Sequence, residues 1–300
     1  MKLSHSRIDC QFISRGMSCK GWLYLPEGAE RPPVIIMAHG FACEKDFRLP
    51  VFAQRFVEQG LAVFLFDYRY FGESEGWPRN LVDYRRQLED WEAAISFVQT
   101  IPEVNAKKMA LWGTSYSGGH VISVAAKHPE LKAVSAHVPF TDGISSIKTL
   151  GISHMLKLAW AGIRDGWHML AMQRPYCIPV VAKPGNIGCM NSPGSYEGYL
   201  AIVPKGSRWK NEFPARVCLI ASFYRPISAA KHIQCPVLII MGENDSVVYP
   251  PSIHKMAAAI PDCKLISMSM GHFDSYQDGE LFEKVIDLQS KFLCEKLLQK

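Results

Sequence analysis

Lys108-Met109-Ala110-Leu111-Trp112-Gly113-Thr114-Ser115-Tyr116-Ser117-Gly118-Gly119 decides how the rest of this chain is read. A short apolar run, suited to a buried strand, ends in Gly-x-Ser-x-Ser and passes directly into a helical pattern from His120 to His128. That order predicts a sharp strand-to-helix turn with Ser115 at its apex, a nucleophile elbow. Small residues on either side of such a serine avoid a clash between strand and helix. The second of them here is Ser117, where glycine is usual. The turn would hold the Ser115 hydroxyl above the sheet, at the positive end of a helix dipole.

Outward from the elbow the chain keeps a strand–helix rhythm. On the amino-terminal side, Ser6–Ile13 and Ser18–Leu25 alternate apolar and polar residues around Arg15-Gly16 and predict an antiparallel hairpin. Val34–Ala38 and Leu61–Phe66 are continuous apolar runs, expected for strands covered on both faces. Helical spacing is present over 49–59 and 82–99. After the elbow helix, Leu131–Val138 reads as a further strand, and the rhythm resumes only at Pro236 with Val237–Met241, Ser252–Ile260, Lys264–Met268 and a terminal helix over Leu281–Leu298. Such alternation predicts an α/β fold with a mostly parallel central sheet flanked by helices. Residues 139–235 break it with prolines, glycines and dense aromatics. The expected organisation is therefore a core of residues 1–138 plus 236–300 and a largely helical lid, residues 139–235, inserted after strand 6. An insertion at the carboxyl edge of a parallel sheet sits where ligands bind.

Within that insertion, Ile152–Leu170 reads as an amphipathic helix whose stripe contains Met155, Leu156, Ala159, Ile163 and Trp167. The aromatics Trp160, Trp167, Tyr176, Tyr196, Tyr199, Trp209, Phe213, Phe223 and Tyr224 are expected to form the lid's own core, some of them walling the pocket. A membrane-surface role for the stripe is disfavoured by the few Lys and Arg on the helix. His154 and His168 are expected on the lid surface.

Composition narrows the function class. The chain has 300 residues, 48% hydrophobic and 20% charged, with a net charge of +5. These are ordinary values for a globular protein, and the cations are scattered without interleaved aromatics, so nucleic acid is not an expected partner. No apolar stretch reaches the roughly 18 residues of a transmembrane helix. The first residues lack the apolar core of a signal peptide. The nine cysteines form no Cys-x-x-Cys pair and no zinc-like spacing, which with the missing leader predicts a reduced, cytoplasmic protein.

A serine hydroxyl needs a base to take its proton and an acid to orient that base. Gly242-Glu243-Asn244-Asp245 places Asp245 on one strand-end loop, and Met270-Gly271-His272 places His272 on the next. The order Ser115, Asp245, His272 differs from the chymotrypsin and subtilisin orders. Asp142, Asp67 and Asp274 are the competing acids. Asp142 is read as a helix cap, Asp67 as structural, and Asp274 as too near His272 in sequence to orient its ring. An oxyanion needs backbone donors: Tyr116 N–H, after the serine, and Phe41 N–H, in the loop His39-Gly40-Phe41-Ala42. His39 is read as shaping that loop, and His137 as filling space.

With Ala38-His39-Gly40-Phe41, Asp67-Tyr68-Arg69-Tyr70-Phe71-Gly72-Glu73-Ser74, the elbow, Gly242–Asp245 and Gly271-His272 in place, the chain resembles the α/β-hydrolase superfamily. Ser115-Tyr116 followed by Gly118 is similar to X-prolyl dipeptidyl-peptidase and cocaine-esterase-like hydrolases. The compact length looks more like the dienelactone-hydrolase and acylaminoacyl-peptidase neighbourhood. Cocaine-esterase-like enzymes use a tyrosine in the oxyanion loop, where this chain has Phe41. Dienelactone hydrolase uses a cysteine nucleophile, where this chain has Ser115. The resemblance implies a serine hydrolase with no metal or organic cofactor and a small-molecule acyl substrate, with a homodimer allowed. A carboxylic ester with a medium-sized apolar group is the first expectation. The alternatives are an exo-type peptidase using Glu197 or Glu212 to bind an amino terminus, a thioesterase or acyltransferase, and an inactive binding protein on the same fold.

Overall fold

The computed structural model describes residues 5–298. Residues 1–4, part of the stretch read as lacking a leader's apolar core, lie outside it. In chain order the core begins with β1 (His5–Ser14), β2 (Met17–Pro26), β3 (Pro33–Ala38), α1 (Leu49–Val57), β4 (Ala62–Phe66) and α2 (Tyr84–Gln99). It continues with β5 (Asn105–Thr114), α3 (Tyr116–Ala125) and β6 (Ala133–His137). Between β6 and the next core strand lie α4 (Ser146–Leu150), α5 (Ile152–Leu170), β7 (Cys177–Ile178), α6 (Ser195–Ile202), β8 (Phe213–Pro214) and α7 (Val217–Ala221). The core ends with β9 (Val237–Gly242), α8 (Pro250–Ala259), β10 (Cys263–Met268) and α9 (Glu280–Leu297).

These strands build the α/β-hydrolase fold. One sheet of eight runs β1-β2-β4-β3-β5-β6-β9-β10, antiparallel at the β1–β2 and β2–β4 joins and parallel from β4 to β10. The apolar runs explain the order. Every residue of β4, β6 and β9 is buried, so these strands need cover on both faces and occupy the interior of the sheet. Helices α1 and α9 cover one face, and α2, α3 and α8 the other. The edge strand β10 is only partly covered, matching its alternation of apolar and polar residues. Helix α2 starts two residues later than its apolar spacing suggests because Asp83 caps it, accepting the Arg85 N–H at 3.0 Å. Among the described residues, no helix is long and apolar enough to cross a membrane.

Two expectations for the insertion are corrected. The apolar stripe of α5 mostly faces solvent: Leu156, Ile163 and Trp167 are exposed, as are Trp160 and Phe223, while Met155 is half-buried against the core. The buried face of α5 carries His154, Leu158, Ala161, Gly162 and Asp165. The reason is close approach to α7. A Cβ on Gly162 would stand 2.8 Å from the Leu219 side chain and 3.0 Å from the Ala215 carbonyl oxygen. Asp165 is buried because its carboxylate accepts from Arg216 Nε at 2.6 Å and from the Tyr176 N–H at 2.7 Å. Hydrophobic periodicity detects an apolar stripe but is blind to a small-residue face that packs by contact distance. His154, expected at the surface, is buried with Nε2 against the Gly188 carbonyl at 2.8 Å.

A charge clasp holds the elbow helix to its neighbour. Just past α3, His128 stands between Glu92 of α2, 2.6 Å from Nε2, and Glu130, 2.7 Å from Nδ1. The hydrogen bond to Glu92 is the main cause that pushes the imidazole pKa up to about 9, reinforced by Glu130 against partial burial. A folded-state pKa raised above the unfolded value of about 6.5 gives stability that is full below that pH and lost as pH rises through about 9. Thermal unfolding should therefore show Tm falling between about pH 6.5 and 9, and His128→Gln should remove most of that slope while lowering Tm at pH 6.

Candidate active site

At the elbow, the backbone geometry matches what the motif demands. Ser115 takes φ 54° and ψ −118°, a strained conformation for a residue with a side chain. Neighbouring backbone fixes it: the Ser115 N–H donates to the His137 carbonyl at 2.8 Å, and its own carbonyl accepts from Phe140 N–H at 2.8 Å and Gly119 N–H at 3.2 Å. Gly113 is obligatory for sterics, since a Cβ there would lie 2.3 Å from the Ser117 carbonyl oxygen. Ser117 is fully buried in place of the usual glycine, and its hydroxyl is paired with Tyr68 Oη at 2.8 Å. Tyr68 Oη in turn accepts the Trp91 indole N–H at 2.9 Å.

The three residues picked out by sequence meet at the carboxyl edge of the sheet. His272 Nε2 is 3.0 Å from Ser115 Oγ, and His272 Nδ1 is 2.7 Å from Asp245 Oδ2. The loop after β9 holds the other Asp245 oxygen, which accepts the N–H groups of Val247 and Val248, both at 2.8 Å. Both His272 and Asp245 are buried. The competing acids are occupied elsewhere. Asp142 accepts the Ser145 N–H at 2.9 Å and the Ser145 hydroxyl at 2.7 Å, tying the turn into α4. Asp67 accepts from the Lys45 N–H and ammonium at 2.7 and 2.8 Å, and Asp274 from the Gly271 N–H at 2.7 Å.

Opposite the serine runs the His39–Ala42 loop. A Cβ on Gly40 would come within 3.1 Å of Ser115 Cβ, a tight contact that a side chain there could relieve only by shifting the serine or the loop by a few tenths of an ångström. His39 shapes the loop, with Nδ1 3.1 Å from the Gly40 carbonyl, and burial pushes its pKa down to about 4. Sequence reasoning missed two residues that anchor this loop from the insertion. Tyr199 donates its hydroxyl to the Phe41 carbonyl at 3.0 Å, and the Trp209 indole N–H donates to the Ala42 carbonyl at 2.8 Å. Their aromatic character was visible, but nothing local marks a donor that acts about 160 positions away. His137 is filler, as read: it is fully buried, stacked on Trp112 and bonded to the Ser275 hydroxyl at 2.9 Å.

Two hollows open at Ser115. The larger, of about 110 Å³, runs under the insertion between Phe41, Tyr116 and Phe140 on the core side and Leu150, Met155, Leu158 and Val217 on the other. No charged residue lines it among the described residues. The smaller, of about 20 Å³, lies between Gly40, Tyr199, His272 and Tyr276.

Residues 16–172 match the model of the X-Pro dipeptidyl-peptidase (S15) family. The chain belongs to that family, within the α/β-hydrolase superfamily of serine hydrolases. It is 39% identical over 286 residues to the quorum-quenching protein AidA of Acinetobacter baumannii, covering 95% of this chain and 94% of that protein. A thiohydrolase of Eupenicillium brefeldianum is 25% identical over 287 residues, covering 93% of this chain and 90% of that one. Among solved structures, the α/β hydrolase GrgF from Penicillium superposes with a TM-score of 0.82 at 26% identity, over 98% of this chain and 100% of that one. This hydrolase therefore shares its fold over nearly its whole length with the α/β hydrolase GrgF.

The Ser117 pairing makes a measurable demand. Tyr68→Phe leaves the Ser117 hydroxyl and the Trp91 N–H buried without their partner, at a cost of about 1–3 kcal/mol each. Urea unfolding should register that loss, and adding Ser117→Ala should recover only the share owed to the hydroxyl.

Proposed function

We propose that this hydrolase cleaves a carboxylic ester with a medium-sized apolar acyl group, through an acyl-enzyme on Ser115. The observation that carries the reading is the larger hollow at Ser115, apolar and lined by no charge. Such a space favours burial of an acyl chain at roughly 0.8 kcal/mol per methylene. His272 Nε2 takes the Ser115 proton as Oγ attacks the carbonyl carbon. Asp245 holds the imidazole through Nδ1 and stabilises the imidazolium. The carbonyl electrons move onto oxygen, which the backbone N–H groups of Phe41 and Tyr116 receive. When the tetrahedral species collapses, the bond to the leaving oxygen breaks and His272 returns the proton to that alcohol. A water then attacks the acyl-enzyme, His272 takes its proton, and Ser115 Oγ leaves with that proton restored. The smaller hollow beside His272 is the size of one water, which suits hydrolysis better than transfer to a bulky acceptor.

Residues 139–235 act as the lid in this reading, with residues 1–138 and 236–300 as the core. The lid supplies one wall of the acyl hollow, and through Tyr199 and Trp209 it steadies the loop that carries the Phe41 donor. A thioester is the second reading, favoured by the similarity to a named thiohydrolase. Only the leaving atom changes, from oxygen to sulfur. The peptidase reading loses its support in the site. Glu197 and Glu212 are exposed, and neither lines the hollow at Ser115; Glu212 borders a separate polar groove with Arg208 and Trp209.

A fluorophosphonate probe should label the wild-type chain and not Ser115→Ala; labelling that survives the substitution sinks the nucleophile assignment. Asp245→Asn should reduce kcat by about 10³–10⁴-fold. Asp142→Asn should leave kcat within a small factor, and the reverse pattern would transfer the acid role to Asp142. Across p-nitrophenyl esters and matched acyl thioesters, kcat/KM should rise from acetyl to medium chains and then fall, while aminoacyl p-nitroanilides stay near background. Turnover of the anilides without turnover of the esters would reverse the proposal.

A further inference from the structure

Helix α5 turns its bulkiest residues to solvent. Ile152, Leu156, Trp160, Ile163, Trp167 and Leu170 are between 43% and 71% exposed. They follow one another at steps of four, four, three, four and three, which at 100° per residue confines them to an arc of about 80°. That is the narrow seam of a helix made to pack on another helix, narrower than the face of a helix lying on a core. Six large apolar side chains this exposed form a contiguous patch of several hundred Å², at the upper end for a monomer and on the order of the roughly 800 Å² that one partner of a stable interface buries. The opposite face of α5 is already committed to α7 through Gly162 and Asp165, so the helix cannot roll to bury this seam.

We infer that the seam is covered by α5 of a second copy of this chain, running antiparallel across a two-fold axis. The residue order is what selects this occupant. Antiparallel pairing about the middle of α5 sets Trp160 opposite Ile163 and Leu156 opposite Trp167, brings Ile152 within one residue of Leu170, and the two-fold repeats each pair. A two-fold interface requires this self-complementarity, in which each residue meets another member of the same set. Large meets medium in the two layers that contain Trp, which is how helix seams interdigitate. Lys157 and Arg164 lie on one flank of the seam, and the two-fold brings these cations toward their counterparts. The dimer is therefore strengthened by salt, which screens them. Attachment of the same seam to an anionic lipid surface would respond to salt in the opposite sense. The inference stands apart from the identity of the acyl group, because none of the six residues lines the hollow at Ser115.

Sedimentation velocity on the full chain tests it. The wild type should run at twice the chain mass at about 100 µM, with a Kd that falls as salt is raised. Trp160→Glu should give a folded monomer by circular dichroism and should retain turnover of a soluble short-chain ester. Register is tested by a volume swap: Leu156→Trp and Trp167→Leu should each weaken the dimer at least about tenfold, and the double variant should return close to wild type. A wild type that stays at single-chain mass, a dimer indifferent to Trp160→Glu, or a double variant no better than its singles would overturn the proposal. So would a monomer that sediments with phosphatidylglycerol vesicles at low salt and is released by added salt.

Discussion

The rest of this structure depends on the backbone of Ser115. Its φ of 54° is unfavourable by about 1–3 kcal/mol, and it persists only because the surroundings leave no alternative. The end of β6 satisfies the Ser115 N–H, Phe140 and Gly119 satisfy its carbonyl, Gly113 removes a Cβ that would push strand and helix apart, and Gly40 lets the His39–Ala42 loop approach closely. A parallel sheet buried on both faces supplies the rigidity. Relaxing the serine would require moving β5 or α3, and both are packed into the core.

That strained turn organises the chemistry by placing one side chain where three other segments can reach it. The loops after β9 and β10 deliver Asp245 and His272, and the loop after β3 brings Gly40 close to the serine from the opposite side. The insertion is coupled to the same point. It walls the apolar hollow with Leu150, Met155, Leu158 and Val217, and it steadies the His39–Ala42 loop through Tyr199 and Trp209. The wall of the hollow and the position of the His39–Ala42 loop therefore share one structural element.

Much of this was legible in advance because it is carried by local pattern. Apolar runs of strand length and the Gly-x-Ser turn are short-range signals, and the chain order of Ser115, Asp245 and His272 falls on strand ends that those signals place. Ser117 looked like a departure and proved to be compensated, its hydroxyl paired with Tyr68, which lies 49 residues away in sequence. In α5 the same methods misled. Its apolar stripe was assigned inward because apolar residues usually are, whereas the buried face is defined by Gly162, Ala161 and a paired Asp165.

The amino-acid sequence by itself thus determined the α/β-hydrolase core, the elbow and the residues that meet there, because burial periodicity and steric necessity act within a few residues of each position. Tertiary structure alone decided which face of α5 is exposed, which aromatics hold the His39–Ala42 loop, and that, among the described residues, no charged side chain lines the hollow at Ser115. Those outcomes follow from close approach and hydrogen bonding between segments distant in sequence, where the energy of a contact depends on geometry that no local pattern contains.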